Sequence, residues 1–322
     1  MRAARVTRLD GPRSVEVQEV DEPAARDQVV IEVHAAGVTF PDVLRTRGAY
    51  QLRPELPFTL GGEVAGVVRS APAGGPFGEG DRVVAFGMQD GFAELFVSPP
   101  EYVLPLGDGV DFEKAAAMPV NYLTCHFALT RRGALVHGET VLVHGAAGGV
   151  GTAACQLARA LGARVIAVVS TEEKGKVARA AGAHDIVLAD GFLPAVRKLT
   201  DGRGVDVVLD PVGGDRFTDS LRALAPEGRV LVVGFAGGSI PEVRVNRLLL
   251  GNTAVVGAAW GEYFHHHPSY AAEQWAEIHP LLEAGALDPL IGAVYPLSDV
   301  ADALLELDER RAHGKVVLRV RG

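Results

Sequence analysis

The segment TVLVHGAAGGVG, Thr140 to Gly151, runs directly into TAACQLARALGA, Thr152 to Ala163, and decides the fold. Five residues of apolar β character end in a glycine turn, an alanine-rich helix follows, and a second apolar run occupies Ala163 to Val169. Strand, turn, helix and strand in this order form the unit from which a doubly wound parallel sheet is built. Ala146, Gly148 and Gly151 fall on the positions of a G-x-G-x-x-G/A motif, with alanine at the first, and Gly145 and Gly149 add freedom. A Cβ at the second position would hold the backbone away from a pyrophosphate, whose charge the N–H groups of the helix start receive. Gly148 and Gly149 are therefore candidate diphosphate contacts, and Ala147 and Val150 beside them candidate cofactor-binding residues. Taken alone, such a turn equally fits a tight strand-to-helix connection with no ligand.

Four more runs extend the pattern outward: Asp185 to Leu188, Val205 to Leu209, Arg229 to Val233 and Ala254 to Gly257. They are nearly all apolar rather than alternating, as expected of strands covered on both faces of a parallel sheet. From Met1 to about residue 120 the texture differs. Short alternating runs (Ser14 to Val20, Gln28 to His34, Glu63 to Arg69, Asp81 to Phe86, Phe92 to Val97) are cut by Gly and Pro, which predicts a barrel or sandwich of short strands. After Trp260 come a helix carrying Ala271, Trp275, Ile278 and Leu282, a second over Ser298 to Arg310, and a closing strand, Lys315 to Val320. The expected organisation is a first domain over 1–120, a Rossmann domain over 121–259, and a return segment, 260–322, that completes the first domain.

Length agrees, since 322 residues exceed what one core usually serves. The formal charge of −9 opposes nucleic-acid binding over most of the surface. Two cysteines, Cys125 and Cys155, exclude a disulfide framework and a four-thiolate zinc site. The N-terminus has no apolar signal region and no stretch is long enough to span a bilayer, so a cytoplasmic protein is expected.

The second apolar run ends at Ser170, where an Asp or Glu would bind the adenosine ribose of NAD. Ser170, Thr171 and Lys174 instead offer two hydroxyls and a cation to a 2′-phosphate, which favours NADPH. Thr171 is also placed to cap the following helix, with Glu172 and Glu173 in its first turn.

These residues, together with HAAGVTFPD (34–42), GAYQ (48–51), LPFTLGGEVAGVV (56–68), DPVG (210–213) and VGAAWGEY (256–263), resemble the medium-chain dehydrogenase/reductase superfamily. Within it they resemble the zinc-free NADPH:quinone oxidoreductase branch that includes ζ-crystallin. The resemblance covers nearly the whole chain and implies a Rossmann doubly wound sheet inserted in a GroES-like, β-rich catalytic domain. Zinc-dependent relatives carry Cys and His where this chain has Thr39 and Gly62, which removes the tetrahedral donor set. Quinones and α,β-unsaturated carbonyls spread incoming charge onto oxygen and need less Lewis-acid help than simple ketones. The expected activity is metal-free hydride transfer from NADPH to a quinone, with an enone or 2-alkenal as the alternative acceptor. A dinucleotide-binding protein with little catalysis stays open beside them.

By the same resemblance Thr39, Asp42 and Tyr50 lie at the nicotinamide and acceptor end. An ordinary tyrosine hydroxyl holds its proton at neutral pH and can donate it. Asp42 could equally cap the helix following Pro41, and Tyr50 could be a loop aromatic packed on Phe58. Thr124, Phe235, Ala236, Gly237, Gly257, Ala258 and Gly314 match cofactor-lining positions. Trp260 reads as a hydrophobic anchor at the return to the first domain, and His265, His266 and His267 read as a solvated turn rather than a metal site, because neighbouring residues diverge. Thr253 to Ala258 would be an apolar sheet edge and predicts a homodimer through it.

Overall fold

The computed structural model describes residues 1–25, 27–51 and 53–321. The chain divides into two compact units, one made of Met1–Val120, Pro268–Ala276 and the residues from Pro289 onward, the other of Asn121–His267 and Glu277–Asp288. The expected return segment is thus shared between them: 260–267 and 277–288 belong to the second unit and the rest to the first. Among the described residues no helix is long and apolar enough to cross a membrane.

In the first unit the chain forms β1 (Arg2–Val6), β2 (Val15–Glu19), β3 (Val29–Val38), α1 (Phe40–Arg45), β4 (Phe58–Thr59), β5 (Glu63–Ser70), β6 (Arg82–Phe86), β7 (Leu95–Ser98), β8 (Val103–Pro105) and α2 (Phe112–Ala116). The sequence reading missed β1, whose charged RAARV pattern lacks a strand's usual signal. Its arginines are accommodated by distant partners, Arg2 by Glu94 (Nε to Oε1 2.8 Å) and Arg5 by Thr59 Oγ1 (3.1 Å) and the Pro57 carbonyl (2.8 Å). Alternation along β3 and β5 turns Ile31, Val33, Val64 and Val68 into one apolar core with Phe92 and Phe96.

The second unit is entered through the helix α3 (Pro119–His126), whose first two residues belong to the first unit and which passes into a π-helical turn (Phe127–Arg132). It continues through β9 (Thr140–His144), α4 (Gly149–Ala160), β10 (Arg164–Val169), α5 (Glu172–Ala180), β11 (Asp185–Leu188), α6 (Phe192–Leu199), β12 (Val205–Asp210), α7 (Phe217–Ala223), β13 (Leu224–Val232), α8 (Asn246–Gly251), β14 (Ala254–Gly257) and α9 (Trp260–His266). The six strands lie in the order β11-β10-β9-β12-β13-β14, and every neighbouring pair is parallel. Numbered within the unit, this is 3-2-1-4-5-6, with the reversal between β9 and β12. The apolar runs are buried as expected: Val141 to Val143 and Val207 to Leu209 are fully covered.

Beyond α9 the chain forms α10 (Tyr270–Glu283), β15 (Ile291–Pro296), α11 (Val300–Asp308) and β16 (Lys315–Arg319). β16 pairs antiparallel with β3, so the larger sheet of the first unit runs β15-β16-β3-β5-β6-β8 with β7 also paired to β3, beside a smaller sheet β2-β1-β4. His265 and His266 are helical and exposed rather than in a turn, and His267 stacks on Tyr263 at 4.3 Å between centroids. Trp260 is buried and stacked on Phe264, and both belong to the second unit.

Candidate active site

The glycine turn at the carboxyl end of β9 shows why each glycine stands where it does. Gly145 has φ +59°, the left-handed region that glycine enters without strain. A Cβ on Gly151 would fall 2.6 Å from Ala146 Cα and closer still to the Gly145 carbonyl oxygen, so the approach of α4 to the turn requires glycine there. Gly148 is different. Its backbone (φ −88°, ψ 178°) suits any residue, and a Cβ there would meet only the Gly145 oxygen, at 3.5 Å. Nothing in the fold demands glycine at 148, and the space beside it is open. Gly148 is also the N-cap of α4 and offers no side-chain acceptor to the amides of the first turn. A bare backbone, open space and helix amides without a side-chain cap at the reversal point of the sheet are features that could receive a diphosphate.

Neighbouring loops shape the same carboxyl edge. Asp210, at the end of β12, accepts through Oδ1 from the amides of Val212 (2.8 Å) and Gly213 (2.9 Å). The segment Phe235 to Gly237 folds onto this turn through Ala236 N to Pro211 O (3.1 Å) and Gly237 N to Val212 O (2.8 Å), while Phe235 stays 40% exposed. His144, the last residue of β9, is buried and bonded to Ser220 Oγ on α7 (2.8 Å). Burial pulls its imidazole below the usual value, with Asp210 opposing and Arg216 reinforcing the shift. Sequence reasoning passed over His144 and Asp210 as site-shaping residues, although DPVG carries the signal of an aspartate turning onto its own backbone.

At the end of β10, Ser170 is exposed, and Thr171 caps α5 by accepting from Lys174 N (3.2 Å). The cap uses an oxygen lone pair and leaves the hydroxyl proton available to donate. Thr124 lies half-buried on α3. Gly257 ends β14, its carbonyl accepting from Arg132 Nε (2.8 Å), and Ala258 is buried and donates to the Val232 carbonyl (2.9 Å).

Thr39, Asp42, Tyr50 and Gly314 belong to the first unit. Asp42 is buried; its Oδ2 accepts from Thr39 N (2.9 Å) and Thr39 Oγ1 (2.6 Å), and its Oδ1 from Gly61 N (3.2 Å). It caps α1 and fixes Thr39, and its oxygens are engaged. Tyr50 lies half-buried with the Arg45 guanidinium carbon 5.2 Å from its ring centroid, a cation held over an aromatic face. Gly314 has φ +78°, and a Cβ would press on the Leu290 carbonyl, so packing alone accounts for glycine there.

Beside Asp42 sits Glu63, fully buried, whose Oε2 accepts from Val120 N (2.7 Å) and whose Oε1 pairs with the buried Lys315 Nζ. Burial pushes the Glu63 carboxyl up, and Lys315 and the Val120 amide pull it back only partly. A Cβ on Gly37 would come within 2.6 Å of Glu63 Oε1, so β3 needs glycine for this carboxylate to fit. Among the described residues no group of three or more His, Cys, Asp or Glu is placed to hold a metal ion.

The sequence pattern of zinc-binding dehydrogenases matches residues 149–283, and that of the alcohol dehydrogenase GroES-like domain matches residues 25–108. The quinone oxidoreductase-like protein 2 of Rattus norvegicus is 39% identical over 99% of this chain and 92% of its own length. The chain belongs to the medium-chain dehydrogenase/reductase superfamily, in its quinone oxidoreductase branch. It is an oxidoreductase. Among solved structures, a probable oxidoreductase from Mycobacterium abscessus superposes with a TM-score of 0.92 at 43% identity, covering 99% of both chains. The quinone oxidoreductase of Thermus thermophilus, solved also in complex with NADPH, gives 0.86 at 36% identity over 99% of this chain and 100% of its own.

Proposed function

We propose that this chain reduces quinones with NADPH, without zinc. The observation that carries the reading is the open space at Gly148 beside the uncapped start of α4. The residues fit a dinucleotide. Amides of Gly149 and Val150 would receive the diphosphate, with Ala147 and Gly148 beside it, and Ser170, Thr171 and Lys174 would meet the 2′-phosphate. Phe235, Ala236 and Gly237 would line the cofactor, joined by Thr124, Gly257 and Ala258. Gly314 would line it too, at a position whose glycine the packing of its own unit also requires. When bound, NADPH would supply a hydride to the conjugated acceptor.

Within the first unit, Tyr50 is the group to donate a hydrogen bond to an acceptor oxygen, and Asp42 holds Thr39 in place. The donor chemistry does not fit zinc: Thr39 gives its proton to Asp42, Gly62 has no side chain, and Glu63 is committed to Lys315. A cytoplasmic setting suits the two buried, unpaired cysteines. The homodimer is supported by β14, an edge strand flanked by the exposed Val245 and Leu249 on the side of α8; sedimentation as a monomer at micromolar concentration would refute it.

The deciding experiment compares NADPH oxidation with 1,4-benzoquinone, phenanthrenequinone and a 2-alkenal, with and without a chelator. Turnover of the quinones unchanged by chelation is expected. Brisk alkenal turnover with inert quinones would transfer the assignment to enone reduction, and tight NADPH binding with no acceptor oxidising it would leave a binding protein.

A further inference from the structure

We propose that a depression at the amino edge of the parallel sheet binds an amphipathic anion, a carboxylate or phosphate head on an apolar stem. It has a volume of about 830 Å³ and is lined by Arg197 of α6, Arg203 before β12, Arg222 of α7 and Arg247 of α8. These arginines are not mutually neutralised. Arg203 forms two bonds with Asp206 (2.6 and 3.2 Å) and Arg222 one with Asp219 (3.1 Å). Arg197 is fixed by main-chain carbonyls, Gly202 O (2.6 Å) and Arg222 O, which orient its guanidinium without cancelling its charge. Arg247 has no acidic partner among the described residues. Asp201 and Glu227, close by in sequence, do not line the depression. Two of four cationic groups therefore lack a counter-charge, in a chain whose formal charge is −9.

The wall is apolar where the charges are not. Leu224 lines it from the start of β13, and Leu250 lines it from α8, next to the β14 edge proposed for the homodimer. Guanidinium groups around an apolar wall recognise an anionic head whose stem covers the leucine. The lining residues lie before β12 and β14 and before or at the start of β13, whereas the turn bearing Gly148 follows β9, so this ligand would bind at the opposite end of the strands from the diphosphate. Such a ligand would not be the substrate of the site beside Gly148, and the inference does not depend on the proposed reaction.

Calorimetric titration of the full chain with decanoate, decyl phosphate, acetate and inorganic phosphate tests it, with and without saturating NADPH. Saturable binding of at least one amphiphile is expected, with the preferred head naming its chemistry, at least tenfold tighter than acetate or phosphate and insensitive to NADPH. Arg247→Ala and Arg247→Glu should weaken it at least tenfold while melting at the wild-type temperature. Four results would overturn the proposal: no saturable binding, equal affinity in both variants, competition by NADPH or quinone, or a change of sedimentation in Arg247→Glu without any amphiphile binding, which would give this face to a second copy of the chain.

Discussion

Two alanine substitutions three residues apart should separate folding from cofactor binding. In Gly151→Ala the new methyl lies 2.6 Å from Ala146 Cα and 2.7 Å from the Gly145 carbonyl carbon, all backbone that cannot rotate away. Overpacking of this kind costs about 1–3 kcal/mol, which for a unit of this size lowers the melting temperature by roughly 2–12 °C. In Gly148→Ala the methyl makes an ordinary contact at 3.5 Å and the backbone angles suit alanine. Alanine is a poorer N-cap than glycine but loses less chain entropy, and the two effects leave stability within about 1 kcal/mol of wild type. The same methyl would occupy the place of the diphosphate and should raise the KM for NADPH about tenfold or more, equivalent to about 1.4 kcal/mol or more. Scanning fluorimetry and steady-state NADPH oxidation, run on both variants, measure the two effects. Equal loss of stability in both, or an unchanged NADPH KM in Gly148→Ala, would refute the assignment of that space to a ligand.

Lys174→Ala should raise the KM for NADPH and leave that for NADH nearly unchanged; equal effects would release this lysine from the 2′-phosphate. Lys315→Met leaves Glu63 buried without its cation and should cost about 3–5 kcal/mol in urea denaturation; a loss under about 1 kcal/mol would mean the carboxyl is already neutral. The hydrogen bonds from Arg47 hold the Asp308 carboxyl below its usual range. A carboxylate depressed in the folded state stabilises above its unfolded pKa and loses that contribution as pH falls through the folded one. Melting temperature followed from pH 6 to pH 3 should therefore fall less steeply in Arg47→Gln than in wild type, and parallel curves would contradict this.

The doubly wound sheet was legible because its strands are apolar on both sides, and β9, β11 and β14 coincide with the runs read from sequence. β13 begins earlier than read, at Leu224, because Pro226 and Gly228 look like terminators while the irregular register against β12 carries the strand through them. The Thr39–Asp42 cap was readable from local spacing. The distinction between Gly148 and Gly151 was not, since both are simply glycine until the path of α4 past the turn is known. Gly314 matched a cofactor position by resemblance, and the packing reason for glycine there, the Leu290 carbonyl, became visible only with the pairing of β15 and β16. The arginine-lined depression gathers residues from three separate connections and leaves no local trace.

The pairing of Glu63 with Lys315 joins groups separated by 252 positions. During synthesis the stretch 121–267 emerges as one continuous piece of the second unit, whereas the Ala35–Val38 end of β3 waits for β16 before it is paired on that side, its other end being covered earlier by β7. Until then Glu63 has no ammonium to meet and the interior around it cannot close dry. A chain stalled just short of Lys315 would have every residue of the second unit translated beside an unfinished first one, so loss of β16 should be felt most by the portion translated earliest.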